Sequence, residues 1–232
     1  METCAERITL RDEARGYYLM KNDRARCVMM KIELDGFDFR ASHHLMAGAI
    51  VPRPVVLIST IGENGVFNVA PFATITRPSM KPPLLGFEVS TRRDGTKKDT
   101  SRNIEFSKDF VVSIVDEGLA EAMNKCSADY PSDVDEFKMT GLTPLKADKV
   151  KAPIVGESPI SFECQLLQIL QFGELPKISQ FIIGEVVMAH VRDDLWVDGG
   201  IDSRKLKAIG RLGTDLYCRT TDIFEMKREF EL

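Results

Sequence analysis

The stretch VPRPVVLISTIGENGVFNVAPFATITR, residues 51–77, decides the fold. Within it, residues 55–58 form a Val-Val-Leu-Ile run of strand length, and the turn sequence GENG follows at residues 62–65. An Asn-Gly pair between two apolar runs predicts a β-hairpin, because these residues tolerate the positive φ of tight turns. The returning run contains Pro71, which has no N–H to donate and therefore indicates an edge strand, a bulge or backbone used for another purpose.

The segment NVAPFAT, residues 68–74, is a candidate ligand-facing segment. Its small residues would allow a flat ligand to approach the main chain. An irregular edge strand without a ligand explains the same residues, since bulges occur next to active sites but also away from them. Both interpretations remain open on the residues of this segment.

Composition describes an ordinary globular chain of 232 residues, with 44% hydrophobic and 28% charged residues. A net charge of −4 without a basic block does not favour a nucleic-acid surface. The late apolar run at residues 181–191 is interrupted by Glu185 and His190 and is too short to cross a membrane. The first ten residues have no apolar core typical of a secretory signal, so we expect a cytoplasmic protein.

Metal and disulfide sites are not expected. The five cysteines are widely spaced, odd in number and without a C-x-x-C pair, which favours reduced thiols. His43 and His44 are adjacent, and adjacent residues of a strand point to opposite faces, so they do not predict a shared metal ligand set. His190 is the other histidine and is treated as a strand residue that could also lie near a pocket.

Several further apolar runs, at residues 84–89, 110–115, 160–169 and 181–191, predict a mainly β fold with helical additions. Helical character is predicted at residues 101–107, 117–126 and 202–209, and residues 11–18 could start a short helix. We predict an N-terminal extension at residues 1–40 and a main domain at residues 41–232. The polar run that contains Asp133, Asp135 and Glu136 is expected to be a solvated loop, because it shows no apolar frame that would shift a pKa.

A basic loop, STRRDGTKKDT at residues 90–100, leads into the helix predicted at residues 101–107. Asp99 or Thr100 is well placed as the N-cap residue. Free N–H groups and the positive end of the helix dipole favour a phosphate, and Lys98 would add a charge. An ordinary cap beside a solvated loop is the alternative. The chain has neither G-x-G-x-x-G nor G-x-x-x-x-G-K-[ST] nor G-x-S-x-G, so the common nucleotide and hydrolase motifs are absent from it.

The motifs in series resemble the flavin reductase-like family. PRPVVLIST and NVAPFAT resemble its opening, and Lys98-Asp99-Thr100 with Asn103-Ile104 resembles its next motif. The later matches are Asp135-Glu136-Phe137, Gly141-Leu142, Phe162-Glu163-Cys164, Gly184-Glu185-Val186, and Arg211-Leu212-Gly213 with Tyr217. The resemblance covers roughly residues 45–217. It implies an FMN-binding split β-barrel, commonly with FMN at a homodimer interface.

The resemblance also implies the cofactor site. The flavin ring and ribityl chain would lie against Asn68, Val69, Ala70, Phe72, Ala73 and Thr74. The phosphate would lie near Ser90, Lys98, Asp99 and Thr100, with Lys98 and Thr100 in direct contact and Asp99 as an orienting or capping residue. Many members have serine where this chain has Ala73, so a hydroxyl contact is missing here or comes from Thr74. No catalytic side chain is named, since the chemistry takes place at flavin N5.

The function implied first is an FMN-dependent oxidoreductase that passes reducing equivalents from NADH or NADPH to free flavin, ferric iron or another acceptor. The alternatives are an FMN electron carrier of flavoredoxin type, fed by a redox protein partner, and a non-catalytic flavin-binding protein. The oxidoreductase and the electron carrier share all the motifs quoted above.

Overall fold

The computed structural model describes residues 10–12, 17–20 and 29–227, and the chain divides into two compact units, residues 1–49 and residues 50–232. In the first unit a three-stranded antiparallel sheet, β1 (Leu10–Asp12), β2 (Tyr17–Met20) and β3 (Met29–Ile32), precedes helix α1 (Phe39–Ala49). His43 and His44 lie in this helix and not in a strand. The predicted boundary at residue 40 stays a prediction.

The second unit is built from strands joined by short helices. Its strands are β4 (Arg53–Pro54), β5 (Val56–Ile61), β6 (Phe67–Phe72), β7 (Thr76–Met80), β8 (Pro83–Ser90), β9 (Asp109–Ile114), β10 (Pro144–Leu145), β11 (Ile154–Val155), β12 (Ile160–Phe172), β13 (Ser179–Val191), β14 (Trp196–Val197), β15 (Gly200–Ile201), β16 (Ile209–Arg211) and β17 (Tyr217–Arg219). Its helices are α2 (Asp99–Ser107), α3 (Ala120–Lys125), α4 (Glu136–Thr140) and α5 (Ser203–Leu206), with short 3₁₀ turns at Glu117–Leu119 and Asp193–Leu195. The prediction of a mainly β fold with helical additions is confirmed.

The main sheet has seven antiparallel strands in the order β6-β5-β9-β12-β13-β8-β7. The run that begins β5 explains why this strand lies inside the sheet. Val56 and Ile58 are fully buried in one apolar cluster with Phe110, whereas Leu57 is fully buried in a second cluster with Phe137. Side chains of a strand alternate between its faces, so an unbroken apolar run is what a strand covered on both faces requires.

Strand β6 lies at one edge of this sheet, as the position of Pro71 indicates. The N–H of Val69 points away from β5 and donates to the carboxylate of Glu136. Pro71, two residues further along, occupies the equivalent outward position, where a missing N–H costs no hydrogen bond with β5. The turn before β6 is closed by a hydrogen bond of 2.9 Å from Gly65 N to Gly62 O, with Gly65 at φ +78°.

The apolar cluster beneath Val56 is filled by aromatic rings. Phe87 and Phe110 are fully buried, and their ring centroids lie 5.4 Å apart in an edge-to-face arrangement. Ring Phe110 lies against Gly184 of β13, where a Cβ atom would come within 2.5 Å of it. Ile104 of α2 belongs to the same cluster, so α2 is fixed on this unit by its apolar face. Across the described residues, no helix combines the length and apolar character needed to cross a membrane.

Candidate functional site

A buried hydrogen bond joins the edge strand β6 to the first turn of α2. The hydroxyl of Thr100 donates to Asn68 Oδ1 at 3.1 Å, and Thr60 donates to the same oxygen at 3.2 Å. All three side chains are buried. The structure thus brings together two segments predicted separately, the segment of residues 68–74 and the basic loop that leads into α2.

Glu136 completes this network from helix α4. Asp135 begins the helix by accepting a hydrogen bond of 3.1 Å from Phe137 N, and the fully buried Phe137 packs on Phe67 of β6. This packing brings Glu136 to the edge of β6, where its Oε2 accepts from Val69 N at 2.6 Å and from Asn68 Nδ2. The prediction of a solvated loop is therefore wrong for Glu136, which is only 7% exposed.

Burial raises the pKa of the Glu136 carboxyl to about 7, against the opposing effect of the hydrogen bonds from Val69 and Asn68. The positive charge of Arg92 also opposes the rise, and the negative charge of Asp135 adds to it. The second oxygen, Oε1, accepts no hydrogen bond among the described residues. Glu136 lines a small cleft between the β5–β6 turn, α2 and the loop before α4, formed by Gly62, Val66, Phe67, Asn68, Asp99, Asn103, Pro131, Ser132, Val134 and Glu136. Around neutral pH this carboxyl can hold or release a proton.

Helix α2 begins with unoccupied N–H groups. Its N-cap is Lys98, which is exposed and makes no side-chain capping bond. The prediction that Asp99 or Thr100 is the N-cap residue is therefore wrong. The hydrogen bonds of the described residues include none from the N–H groups of Asp99, Thr100 and Ser101. Asp99 is instead paired with Arg92 at 2.7 Å and with Arg102. Free N–H groups at the start of a helix, together with the positive end of its dipole, suit an oxyanion.

The remaining predicted site residues are distributed around β6 and β8. Val69 is fully buried in the core, so its side chain packs, and its backbone N–H donates to Glu136. Phe72 packs edge-to-face on Phe87 at 5.0 Å between centroids. Ala70 and Ala73 leave the chain without bulky side chains along this edge, although Ala73 is only 8% exposed.

Thr74 and Ser90 both converge on Glu88 of β8. The Thr74 hydroxyl accepts from Glu88 N at 3.0 Å and donates to Glu88 O at 3.3 Å. The Ser90 hydroxyl donates to the Glu88 carboxylate at 2.5 Å. Thr74 therefore ties the end of the 68–74 segment to the strand that leads into the basic loop.

A second carboxylate cluster lies on β12 and β13. Glu163 is fully buried and accepts backbone hydrogen bonds from Asp148, Lys149 and Val150 at 2.9, 2.6 and 3.1 Å. His190 Nε2 lies 2.6 Å from Glu163 Oε1, and with Asp148 the three side chains offer ligand atoms within 4.8 Å of one another. Because Glu163 already serves three N–H groups, its evident role is to hold the loop. Sequence reasoning missed this cluster because its members are far apart in the chain.

The three described cysteines, Cys126, Cys164 and Cys218, are free thiols, as expected, and Cys4 and Cys27 lie outside the described residues. Burial raises the pKa of the Cys126 thiol to about 11 and raises that of Cys164 further. Buried thiols of this kind stay protonated and are poor nucleophiles.

The fold is that of a class of flavin-associated proteins. The flavin reductase like domain matches residues 46–203, and this chain belongs to that family. The resemblance inferred from its motifs and the split-barrel fold are both confirmed.

Among its relatives, the uncharacterized protein BH2278 of Halalkalibacterium halodurans is 36% identical over 201 residues, 86% of this chain and 96% of the relative. Nitrilotriacetate monooxygenase component B from Bacillus cereus has a similar structure, with a TM-score of 0.82 and 32% identity over 85% of this chain and 98% of that chain. The 2-nitrobenzoate 2-nitroreductase NbaA of Pseudomonas fluorescens gives a TM-score of 0.74 and 30% identity, over 87% and 98% of the two chains. The family and these neighbours support a flavin-binding oxidoreductase.

Proposed function

We propose that the protein is an FMN-dependent oxidoreductase that takes reducing equivalents from NADH or NADPH and passes them to free flavin, ferric iron or another acceptor. Its family and its similarity to a monooxygenase component and a nitroreductase support this proposal. The observation that carries it is the hydrogen bond of 3.1 Å between Thr100 and Asn68. This bond holds the candidate ring-binding strand beside the helix end suited to a phosphate.

The residues of the site fit FMN. The N–H groups of Asp99, Thr100 and Ser101 and the exposed Lys98 would bind the phosphate. The edge of β6 that carries Ala70 would accept the ring and ribityl chain. When bound, the flavin supplies a centre that accepts hydride or single electrons.

The hydrogen bonds favour a division of roles among the predicted site residues. The side-chain oxygen and nitrogen of Asn68 are both engaged within the protein, which supports a positioning role for Asn68 rather than a flavin contact. The Thr100 hydroxyl is engaged in the same way, so its backbone N–H is the better candidate for the phosphate. Thr74 holds β8 through Glu88 and leaves the place of the family serine at Ala73 without a hydroxyl.

The proposal is tested by the absorbance spectrum of the purified protein with FMN, followed anaerobically by NADH and then NADPH. Flavin bands that bleach with either nucleotide are the expected result. Bands that persist with both nucleotides would favour the electron carrier of flavoredoxin type. A protein that binds no FMN at micromolar concentration would overturn the flavin assignment.

The phosphate assignment has its own test in Lys98→Ala. We expect this change to weaken FMN several-fold but riboflavin hardly at all, because only FMN carries the phosphate, and an exposed charge pair contributes up to about 1 kcal/mol. Titration calorimetry with both ligands measures the difference. Arg93→Ala, an exposed cation in the same loop, is the matched control. Equal losses for FMN and riboflavin in Lys98→Ala would contradict the assignment.

We also propose that the protein is a homodimer and that it is located in the cytoplasm. The outer part of the β12–β13 hairpin exposes Leu167 by 55%, Phe172 by 59% and Leu175 by 70%, and burial of such apolar side chains would favour association. Sedimentation velocity at micromolar concentration tests the dimer, and a purely monomeric protein would refute it. Fractionation of the producing cells tests the location.

A further inference from the structure

Two arginine side chains face each other across the small sheet β17-β16-β4. Arg53 of β4 and Arg211 of β16 are direct cross-strand partners, and Tyr217 of β17 is the partner of Arg211 on its other side. The strands approach closely because Gly210 has no side chain: a Cβ atom there would lie 2.7 Å from Pro52. The two guanidinium groups are therefore held on one row of the sheet.

Each guanidinium is anchored through one terminal nitrogen. Arg53 Nη2 donates to Leu212 O at 2.8 Å, and Arg211 Nη2 donates to Thr214 O at 3.4 Å. The Arg211 guanidinium also lies 5.8 Å from the centre of the Tyr217 ring. These contacts fix the planes of both groups but use only a fraction of their N–H donors.

Among the described residues the remaining donors of the two arginines have no acceptor. In residues 29–227 neither arginine forms an ion pair with a carboxylate, and the Nε atoms of both are buried without a hydrogen-bond partner. Burial lowers the pKa of Arg53, the positive charge of Arg211 lowers it further, and only Tyr217 opposes these effects. Like charges directly opposite each other in a sheet are destabilising, and unpaired buried donors add to that cost.

We propose that Arg53 and Arg211 form a subsite for the oxyanion of a small ligand, a phosphate or carboxylate group. Two guanidinium forks match an oxyanion with two or more acceptor oxygens, and such charge-assisted bonds are among the strongest hydrogen bonds in proteins. The anion would neutralise the pair and use the free N–H groups. This subsite is separate in sequence from β6 and α2, and it does not depend on the proposed flavin chemistry.

The test follows the Nε–H signals of the arginines by NMR in the ¹⁵N-labelled full chain without flavin, titrated with inorganic phosphate and, separately, with acetate at constant ionic strength. Saturable shifts of the Arg53 and Arg211 signals are expected in the millimolar range or below. Arg219 of β17 is the internal control, because it is already paired with Glu117 at 3.4 Å. Local readout at each arginine distinguishes this subsite from any anion bound at the end of α2.

Two variants sharpen the result. Arg211→Gln removes the charge, and Arg211→Lys keeps the charge but loses the planar fork; we expect the Arg53 signal to respond roughly tenfold more weakly in both. A tighter response to phosphate than to acetate identifies the ligand group as a phosphate, and the reverse identifies a carboxylate. Unsaturated, parallel drift of the signals of Arg53, Arg211 and Arg219 would overturn the proposal, as would an unchanged Arg53 response in folded Arg211→Gln.

Discussion

Glu136 and Glu163 are both buried carboxylates that accept backbone N–H groups, yet their pKa values shift in opposite directions. Burial alone would raise the pKa of Glu163, but the hydrogen bonds from Asp148, His190 and Lys149 outweigh it and hold that pKa below its ordinary value. For Glu136 burial prevails and the pKa rises to about 7. The balance between desolvation and the hydrogen-bond donors that reach a buried carboxylate decides the direction in which its pKa shifts.

The two carboxylates also differ in how many donors reach them and on which oxygen. Glu163 receives three backbone N–H groups and His190, spread over both oxygens. Glu136 receives two donors, Val69 N and Asn68 Nδ2, both on Oε2. These donors favour the ionised form of Glu163. At Glu136 one oxygen holds the strand edge and the other remains available to a proton.

The largest expected effect is that of Glu163→Gln. The amide would direct N–H groups at backbone donors and leave at least one buried N–H unpaired, so we expect the free energy of unfolding to fall by about 3 kcal/mol or more. Urea unfolding at neutral pH measures it. Asp148→Asn, an exposed neighbour whose backbone bond to Glu163 is unaffected, should change stability by no more than about 0.5 kcal/mol. If Glu163→Gln lowered the free energy of unfolding by less than about 1 kcal/mol, the structural role that distinguishes Glu163 from Glu136 would be contradicted.

Glu136→Gln should act mainly on the pH dependence of stability. A carboxyl whose pKa is raised in the folded state contributes stability that is fully present below its unfolded pKa and is lost as pH rises through its folded pKa, here about 7. Between pH 5 and pH 8 the wild-type protein should lose up to about 3 kcal/mol through this group. Glu136→Gln should lack that slope. Unfolding free energies measured across this range decide it, and parallel slopes for the two proteins would contradict the assigned pKa.

Thr100→Val should have the smallest effect, since it removes the hydroxyl that donates to Asn68 Oδ1 but keeps the shape of the side chain. We expect a loss of about 1 kcal/mol. Thr96→Val, whose hydroxyl bonds Asp94 at an exposed turn, is the matched control. Combining Thr100→Val with Glu136→Gln in a double-mutant cycle should reveal coupling of about 0.5 kcal/mol or more through Asn68. Strict additivity would show that the two ends of the network act independently.

Much of the fold was predictable because local patterns agree with the tertiary structure. The apolar run before GENG is buried on both faces, and Pro71 lies on an edge strand. The runs predicted at residues 160–169 and 181–191 are the cores of β12 and β13, although both strands extend towards each other beyond them. Periodicity locates strands well but sets their ends poorly, because pairing with a neighbour continues past the apolar residues.

The candidate site was predictable only in part. The acidic run around Glu136 forms a helix, and the sequence contains the residues that indicate it. These are Asp135 as N-cap, Phe137 as the apolar anchor and Gly141 as the left-handed C-cap. That Glu136 would bind Asn68 and Val69 depends on tertiary placement of α4 against an edge strand. No spacing within the sequence records such a contact.

The contact between Phe110 and Gly184 constrains which residues can occupy these two positions during evolution. The ring occupies the volume that a Cβ atom at position 184 would need, so a larger residue at position 184 requires the Phe110 ring to move or a smaller side chain to replace it. Relatives that carry alanine at the second position should carry a smaller residue at the first. Hybrids that take β9 from one parent and β13 from another should lose stability where they combine Phe110 with a residue larger than glycine at position 184.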